Sequence, residues 1–272
     1  MIEKICDKQQ TLKEFTDNTC AQASFVFAYL LKNKEIKING KKTGENVILL
    51  PGDRVQYFLT KKQSEALVYS IIYEDENLVI VDKESGVNSE AVFAQLYEKN
   101  GGRCAFIHRL DRNTRGLLSF AKTEKAEREM LLAFKEKRVE KKYHALCFGR
   151  FEKSATILTA YLQKYEEKAL VKIFDEPKNN AEKIVTQYKV LEEKDGLTKV
   201  EVILHTGKTH QIRAHLAHVG CPIVGDMKYG NAELNRKRNV KRQSLIAKEL
   251  SFSCEGELSY LNGKTFYSRF EL

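Results

Sequence analysis

The chain has 272 residues, 42% of them hydrophobic and 31% charged, and its 46 Lys and Arg outnumber its 37 Asp and Glu for a net charge of +9. At roughly 150 residues per domain, that length suits one large domain and a small one. No stretch holds the ~18 uninterrupted apolar residues of a membrane helix, and the opening MIEKICDKQQ lacks the basic start and apolar run of a secretory signal. The basic surplus favours a polyanionic partner, nucleic acid being the usual one. None of the six cysteines forms a C-x-x-C pair, which excludes a zinc ribbon or thioredoxin motif. Scattered single cysteines read as reduced, and a cytoplasmic protein is expected.

In chain order, residues 1–62 read as a compact unit. Phe25, Ala28 and Leu31 recur at helical spacing within residues 10–34. Ile36 and Ile38 then alternate with polar residues, Asn39-Gly40 and Pro51-Gly52-Asp53 are turn signals, and Val55, Tyr57 and Leu59 mark a strand. Two helices and a small hairpin-rich sheet are predicted, followed by a linker from Lys61 to about Tyr69. A second unit, residues 70–272, opens with IIYEDENLVIVDKESG, read as strand, turn, strand. AVFAQLYEKN is predicted helical up to Gly101-Gly102, and CAFIHRLDRNTRGLLSFAK reads as strand, Arg-rich loop, strand. Residues 123–138 form an amphipathic helix with Ala126, Met130 and Phe134 on one face. VEKKYHALCFGR is a strand presenting Tyr143, Ala145 and Cys147 together, and IVTQYKVLEE and TKVEVILHT are strands rich in Val, Ile and Thr. TGKTHQIRAHLAHVG is a helix capped by Thr206 or Thr209, lined by Ile212, Leu216 and Val219, and stopped by Gly220. Strands outnumber helices and arrive consecutively, which predicts an α+β fold with a largely antiparallel sheet.

The chemistry candidate is the segment His108 to Gly116, where one carboxylate, Asp111, stands among Arg109, Arg112 and Arg115. Three guanidiniums favour the charged carboxylate, suited to act as nucleophile or anion stabiliser. The plainer alternative is a solvated basic loop with an ion pair inside it. Thr206–Arg213 contains the Gly-Lys-Thr that ends a P-loop, but Val202 stands where that motif needs glycine, so nucleotide triphosphate binding is rejected. His210, His215 and His218 lack the spacing and intervening Glu of a zinc helix, and metal is not expected. Arg236-Lys237-Arg238 and Lys241-Arg242 suit either a phosphate-contacting loop or a solvated one.

Three blocks in order, HRLDRNTRGLL with FAKT, VEKKYHALCFG, and LHTGKTHQIRAHLAHVGCPIVGDMKYG, resemble the catalytic domain of the RluA-type pseudouridine synthases over residues 70–272. The resemblance implies a mixed, mainly antiparallel sheet with flanking helices and a central cleft, and neither metal nor organic cofactor. Asp111 occupies the place of the catalytic aspartate, Tyr143 that of the active-site tyrosine, and Arg213 that of the basic residue paired with the aspartate. Arg109 resembles the arginine that replaces a flipped base in an RNA stack, and His108, Arg112, Lys208, His210 and Gln211 join it as RNA-binding candidates. Residues 1–62 resemble the alpha-L-type RNA-binding module found before some members, on INGKKTGENVILLPGDRVQ. Lys83-Glu84-Ser85-Gly86, Thr114-Arg115-Gly116 and Gly207-Lys208-Thr209 depart from the family's common Lys-Pro-x-Gly, Thr-Ser-Gly and Gly-Arg-Thr.

The implied reaction detaches uracil, turns it over and rejoins it through carbon 5, so the base must leave its stack at a cost of a few kcal/mol. Flipping is cheapest in loops, which favours structured RNA, ribosomal RNA ahead of transfer RNA, acted on by a monomer. A tyrosine with an ordinary pKa of about 10 would need help from nearby cations to accept the carbon-5 proton. A non-catalytic RNA-binding or assembly factor shares the same charge and N-terminal unit; tritium release from carbon 5 of uridine separates the two readings.

Overall fold

Turn chemistry shapes the N-terminal unit of the computed structural model, which describes residues 1–165, 170–240 and 242–272. Its elements are β1 (Ile2–Ile5), β2 (Gln10–Thr11), α1 (Leu12–Thr19), α2 (Ala21–Phe25), α3 (Phe27–Lys32), β3 (Ile36–Ile38), β4 (Lys41–Thr43), β5 (Ile48–Leu49) and β6 (Arg54–Tyr57). Asn39 and Gly40 both take positive φ, 49° and 82°, the conformation of a tight hairpin turn, and join β3 to β4. These strands pair in the order β1-β6-β3-β4. A capping box starts α1: the Thr11 side chain accepts from the Glu14 N–H, and the Glu14 carboxylate accepts from the Thr11 N–H. Leu12, Phe15, Phe27, Leu30, Ile36, Val55 and Tyr57 form a core of their own.

Three helices stand where two are predicted. Phe25 and Ala28 lie exposed, while Ala23, Phe27 and Leu30 face inwards. Cys20 and Val26 leave helical geometry, so the helical phase resets twice and no single 3.6-residue period over residues 10–34 describes the buried face. The predicted linker contains a helical turn, α4 (Lys61–Ser64), capped by Thr60.

The larger sheet is built from β7 (Tyr69–Glu74), β8 (Leu78–Lys83), β9 (Ala105–Phe106), β10 (Arg115–Ala121), β11 (Val139–Phe148), β12 (Ala155–Tyr165), β13 (Leu170–Phe174), β14 (Glu182–Lys194), β15 (Leu197–Leu204), β16 (Leu245–Phe252) and β17 (Thr265–Tyr267). The main order is β13-β12-β14-β15-β11-β16-β10-β8-β7, with β9 beside β10 and β17 beside β16. The named strands pair antiparallel except β10 with β16, which is parallel and spans Arg115–Gly116 against Ile246–Ala247. This is the mixed, mainly antiparallel sheet that the sequence predicts. Beyond Gly116 the two strands part, β9 taking the edge of β10 and β17 that of β16. Gly116 stands at their closest approach, with φ +112° and only 2.3 Å between the position of a Cβ and the Ala247 carbonyl oxygen. No side chain fits there.

Helices cover both faces. On one, α5 (Ser89–Lys99) and α7 (Gln211–His218) pack over Val79, Val81, Leu118, Tyr143 and Val202. On the other, α6 (Glu124–Lys135) and a 3-10 turn (Gly256–Leu261) pack over Leu78, Ile80, Leu117 and Phe252. Two elements go beyond the sequence reading. The β12–β13 hairpin alternates in burial, but its open face also carries apolar residues, Ile157 being 59% exposed, which blurs its strand period in the sequence. The basic run begins inside a short helix, α8 (Ala232–Lys237), and not in a loop; Lys241 of that run lies outside the described residues. Among the described residues no helix is long and apolar enough to cross a membrane.

Two histidines serve the framework. His108 Nε2 accepts from the Ser119 N–H (3.1 Å), and the ring stacks on Phe134. His215 Nδ1 meets Thr186 Oγ1 at 2.9 Å. Burial pushes their pKa values down from 6.5, to about 3 for His108 and about 4 for His215. Between those values and 6.5 the unfolded chain therefore binds more protons than the folded one, and stability rises with pH. Melting temperature will fall on acidification from about pH 7 to about pH 5, and His215→Gln will make that fall shallower. An unchanged slope in the variant would remove His215 from the account.

Candidate active site

The segment before β10 is fixed largely through its backbone. Leu110 donates its N–H to Ser89 Oγ and accepts the Ser89 hydroxyl proton at its carbonyl, both at 3.0 Å. The Thr114 N–H closes a turn onto the Asp111 carbonyl (3.0 Å). The Arg112 carbonyl accepts from the Gly86 N–H (2.9 Å) and from Lys83 Nζ (3.1 Å). Lys83 is fully buried at the end of β8, and its ammonium also donates to the Glu84 and Val87 carbonyls. Burial pulls this lysine down to about 7, against the opposing charge of Asp111. Its three acceptors match the three protons of the ammonium form.

This scaffold presents Asp111 with its side chain 25% exposed. None of the three neighbouring arginines forms its ion pair. Arg109 reaches Glu90 (3.1 Å), Arg112 pairs with Asp17, and Arg115 lies over the Phe270 ring. The partner is Arg213 on α7, whose Nη1 donates to Asp111 Oδ2 at 2.8 Å. Behind it, Asp226 takes the rest of the guanidinium in a bidentate pair, Nε to Oδ2 at 2.6 Å and Nη2 to Oδ1 at 3.0 Å. Asp226 is 1% exposed and also accepts the Lys228 and Tyr229 N–H groups. Burial opposes charge on both partners, yet their mutual bonds outweigh it: Arg213 is raised and Asp226 lowered. A planar guanidinium shared by two carboxylates is fixed in orientation, which a lysine would not achieve.

Tyr143 on β11 is buried, close enough for the Asp111 charge to act on it. Its phenol is raised, first by burial and then by Asp111. The help expected from cations is thus missing, and the ring is held neutral. His210 takes a left-handed backbone (φ 55°) at the start of α7, with no side-chain cap there. Of the expected caps, Thr206 acts otherwise, its Oγ1 donating to Gln211 Oε1 (2.9 Å). Tyr229 Oη accepts the Val171 N–H and meets His210 Nδ1, each at 2.9 Å. With the Tyr229 hydroxyl donating its hydrogen bond to Nδ1, the neutral imidazole carries N–H at Nε2, the atom 3.9 Å from Asp111 Oδ2.

The structure thus brings together Asp111, Tyr143, Arg213 and His210. It separates the other RNA-binding candidates. Arg109 is exposed, and Lys208 pairs with Glu182 at the surface. Gln211 is 2% exposed, with Oε1 accepting from Thr206 and the Lys208 N–H while Nε2 donates to the Val185 carbonyl and Thr186. No face of that amide is left for RNA, and His108 likewise is held by Ser119; both are corrected to framework groups. Asp226 and Lys83 are the residues that reading the sequence leaves without a role. Asp226 stands beside Gly225, where a Cβ would lie 1.8 Å from the Arg242 carbonyl oxygen, so the Gly-Asp pair is its one local signal.

A carboxylate and a neutral phenol beside a doubly anchored arginine, on a strongly basic chain, fit an enzyme that works on RNA bases. A family profile described as RNA pseudouridylate synthase matches residues 56–218. "Ribosomal large subunit pseudouridine synthase C" of Rickettsia typhi is 32% identical over 262 residues, covering 83% of this chain and 86% of that protein. "Ribosomal large subunit pseudouridine synthase D" of Haemophilus influenzae is 27% identical over 241 residues, covering 78% and 73%. The solved structure of "Human RNA Pseudouridylate Synthase Domain Containing 1" superposes with a TM-score of 0.61 at 27% identity, covering 75% of this chain and 91% of that one. The chain belongs to the RNA pseudouridylate synthase family, whose reaction is the isomerisation of uridine to pseudouridine in RNA.

Proposed function

We propose that this chain forms pseudouridine in large-subunit ribosomal RNA, in the cytoplasm and as a monomer, with Asp111, Tyr143 and Arg213 as its reacting centre. The observation that carries the assignment is the Arg213 guanidinium, held by Asp226 and donating to Asp111. In the reaction the N1–C1′ bond breaks, a C5–C1′ bond forms, C5 loses a proton and N1 gains one. Atoms and electrons balance within the nucleoside. Asp111 acts on the everted nucleoside, at the sugar, at the base or by removing a sugar proton, and each route needs a carboxylate aimed by a fixed cation. Arg109, exposed and ion-paired with Glu90, fills the gap that the base leaves in its stack. Residues 1–62 add RNA-binding surface ahead of the catalytic unit, residues 70–272. Relatives named for the large ribosomal subunit support that RNA over transfer RNA.

The neutral phenol of Tyr143 supports the base by stacking and passes a proton only as a relay, accepting one as it gives up its own. Tyr143→Phe will slow turnover about 10²-fold with RNA affinity retained; a variant as fast as the parent would remove Tyr143 from the chemistry. The assignment as a whole is tested with unmodified large-subunit ribosomal RNA carrying tritium at uracil C5. Tritium release and a mapped pseudouridine are expected. Binding without release would favour an assembly factor.

A further inference from the structure

Arg112 follows Asp111 in the chain, yet its guanidinium turns away from it. Nη1 forms an ion pair with Asp17 of α1, and Nη2 donates to Ser24 Oγ of α2 at 3.0 Å. Asp17 is itself enclosed: Lys13 pairs with it, and the Ser24 hydroxyl donates to its Oδ1. The Asp17 side chain is 13% exposed, so the pair is better shielded from solvent than an ordinary surface salt bridge.

The surrounding contacts follow the same path. Asn18 accepts from Asn88, Gln22 accepts from Gln95, and Lys4 pairs with Glu98. Phe25 lies against Gly86. Gly86 donates its N–H to the Arg112 carbonyl. Ala21 joins the core of the larger unit beside Val87 and Leu110. The N-terminal unit therefore grips the reacting loop and the start of α5 behind it.

We propose that Asp17 and Ser24 are positioning residues for the isomerisation, holding Arg112 away so that Asp111 keeps Arg213 as its cation. The inference rests on the reading of Asp111 as the reacting carboxylate. A released Arg112 is one residue from Asp111. Its guanidinium can fold onto the Oδ atom that must face the nucleoside, replacing an aimed carboxylate with a neutralised one. Asp17 thus serves the chemistry through Arg112, touching no substrate.

The test uses the full chain and a large-subunit ribosomal RNA transcript tritiated at uracil C5, titrated up to saturation. Asp17→Asn will lower kcat about tenfold with KM within about twofold, because a small displacement of the carboxylate slows chemistry more than binding. Adding Arg112→Gln will restore most of the lost kcat, since the competing guanidinium is gone. Amide exchange at Gly86 and Thr114 will speed up about tenfold in Asp17→Asn. Parental kcat in Asp17→Asn, or a double variant no faster than the single one, overturns the proposal. Should Asp17→Asn fail to fold, Ser24→Ala removes one of the two bonds and will lower kcat about threefold with KM kept; no change in kcat overturns the proposal. If the parent releases no tritium from any RNA, the functional reading falls, and exchange alone then decides the grip: faster supports it, unchanged refutes it.

Discussion

Asp111→Asn will bind RNA and form essentially no pseudouridine, with turnover down about 10³-fold or more. The fold is expected to survive this change. Arg213 lies between two carboxylates, and loss of the Asp111 charge leaves the bidentate pair with Asp226 electrically balanced. The asparagine oxygen can still accept from Nη1, so no buried donor is orphaned. What disappears is the negative charge proposed to attack or deprotonate the nucleoside. Tritium release, gel-shift affinity and thermal melting on one preparation check all three statements. Turnover within tenfold of the parent, about 1.4 kcal/mol of barrier, would end the assignment.

Removal of the arginine has the opposite balance, striking fold and chemistry together. Arg213→Met leaves Asp226, 1% exposed, without its cation. Breaking a buried pair in this way costs about 3–5 kcal/mol of stability. Two backbone N–H groups, from Lys228 and Tyr229, still bond Asp226 Oδ1 and prevent complete collapse of the turn. Asp226→Asn added to Arg213→Met keeps an acceptor for those N–H groups and removes the unpaired charge. The double variant will regain part of the stability and none of the activity. Denaturant midpoints and tritium release separate the two effects. Recovery of activity with stability would show that Arg213 serves the fold alone.

The sheet class, the segment before β10 and the strand carrying Tyr143 were legible because their patterns are local: alternation, an Arg-rich interruption between apolar ends, a Val- and Ile-rich run. Placement of the charges was less so. Three arginines adjacent in sequence to Asp111 reach Glu90, Asp17 and Phe270 instead, while the guanidinium that meets it comes from α7. Backbone direction decides this, and composition does not record it. Gln211 and His108 carry RNA-binding chemistry in the abstract, but a buried amide with all its bonds satisfied belongs to the framework. The inward face of residues 10–34 was not legible from one helical period, because two breaks, each a single residue, shift the phase.

The two-residue parallel seam between β10 and β16 has a consequence for synthesis. The strand leading out of the Asp111 segment finds this neighbour only after Leu245–Phe252 has been made, and Arg213 and Asp226 also come late in translation. A nascent polypeptide that has not yet reached Leu245 therefore lacks the parallel neighbour of β10. A product truncated before Leu245 has no β16 to pair with β10, so it is expected to form no pseudouridine even with its Asp111 intact.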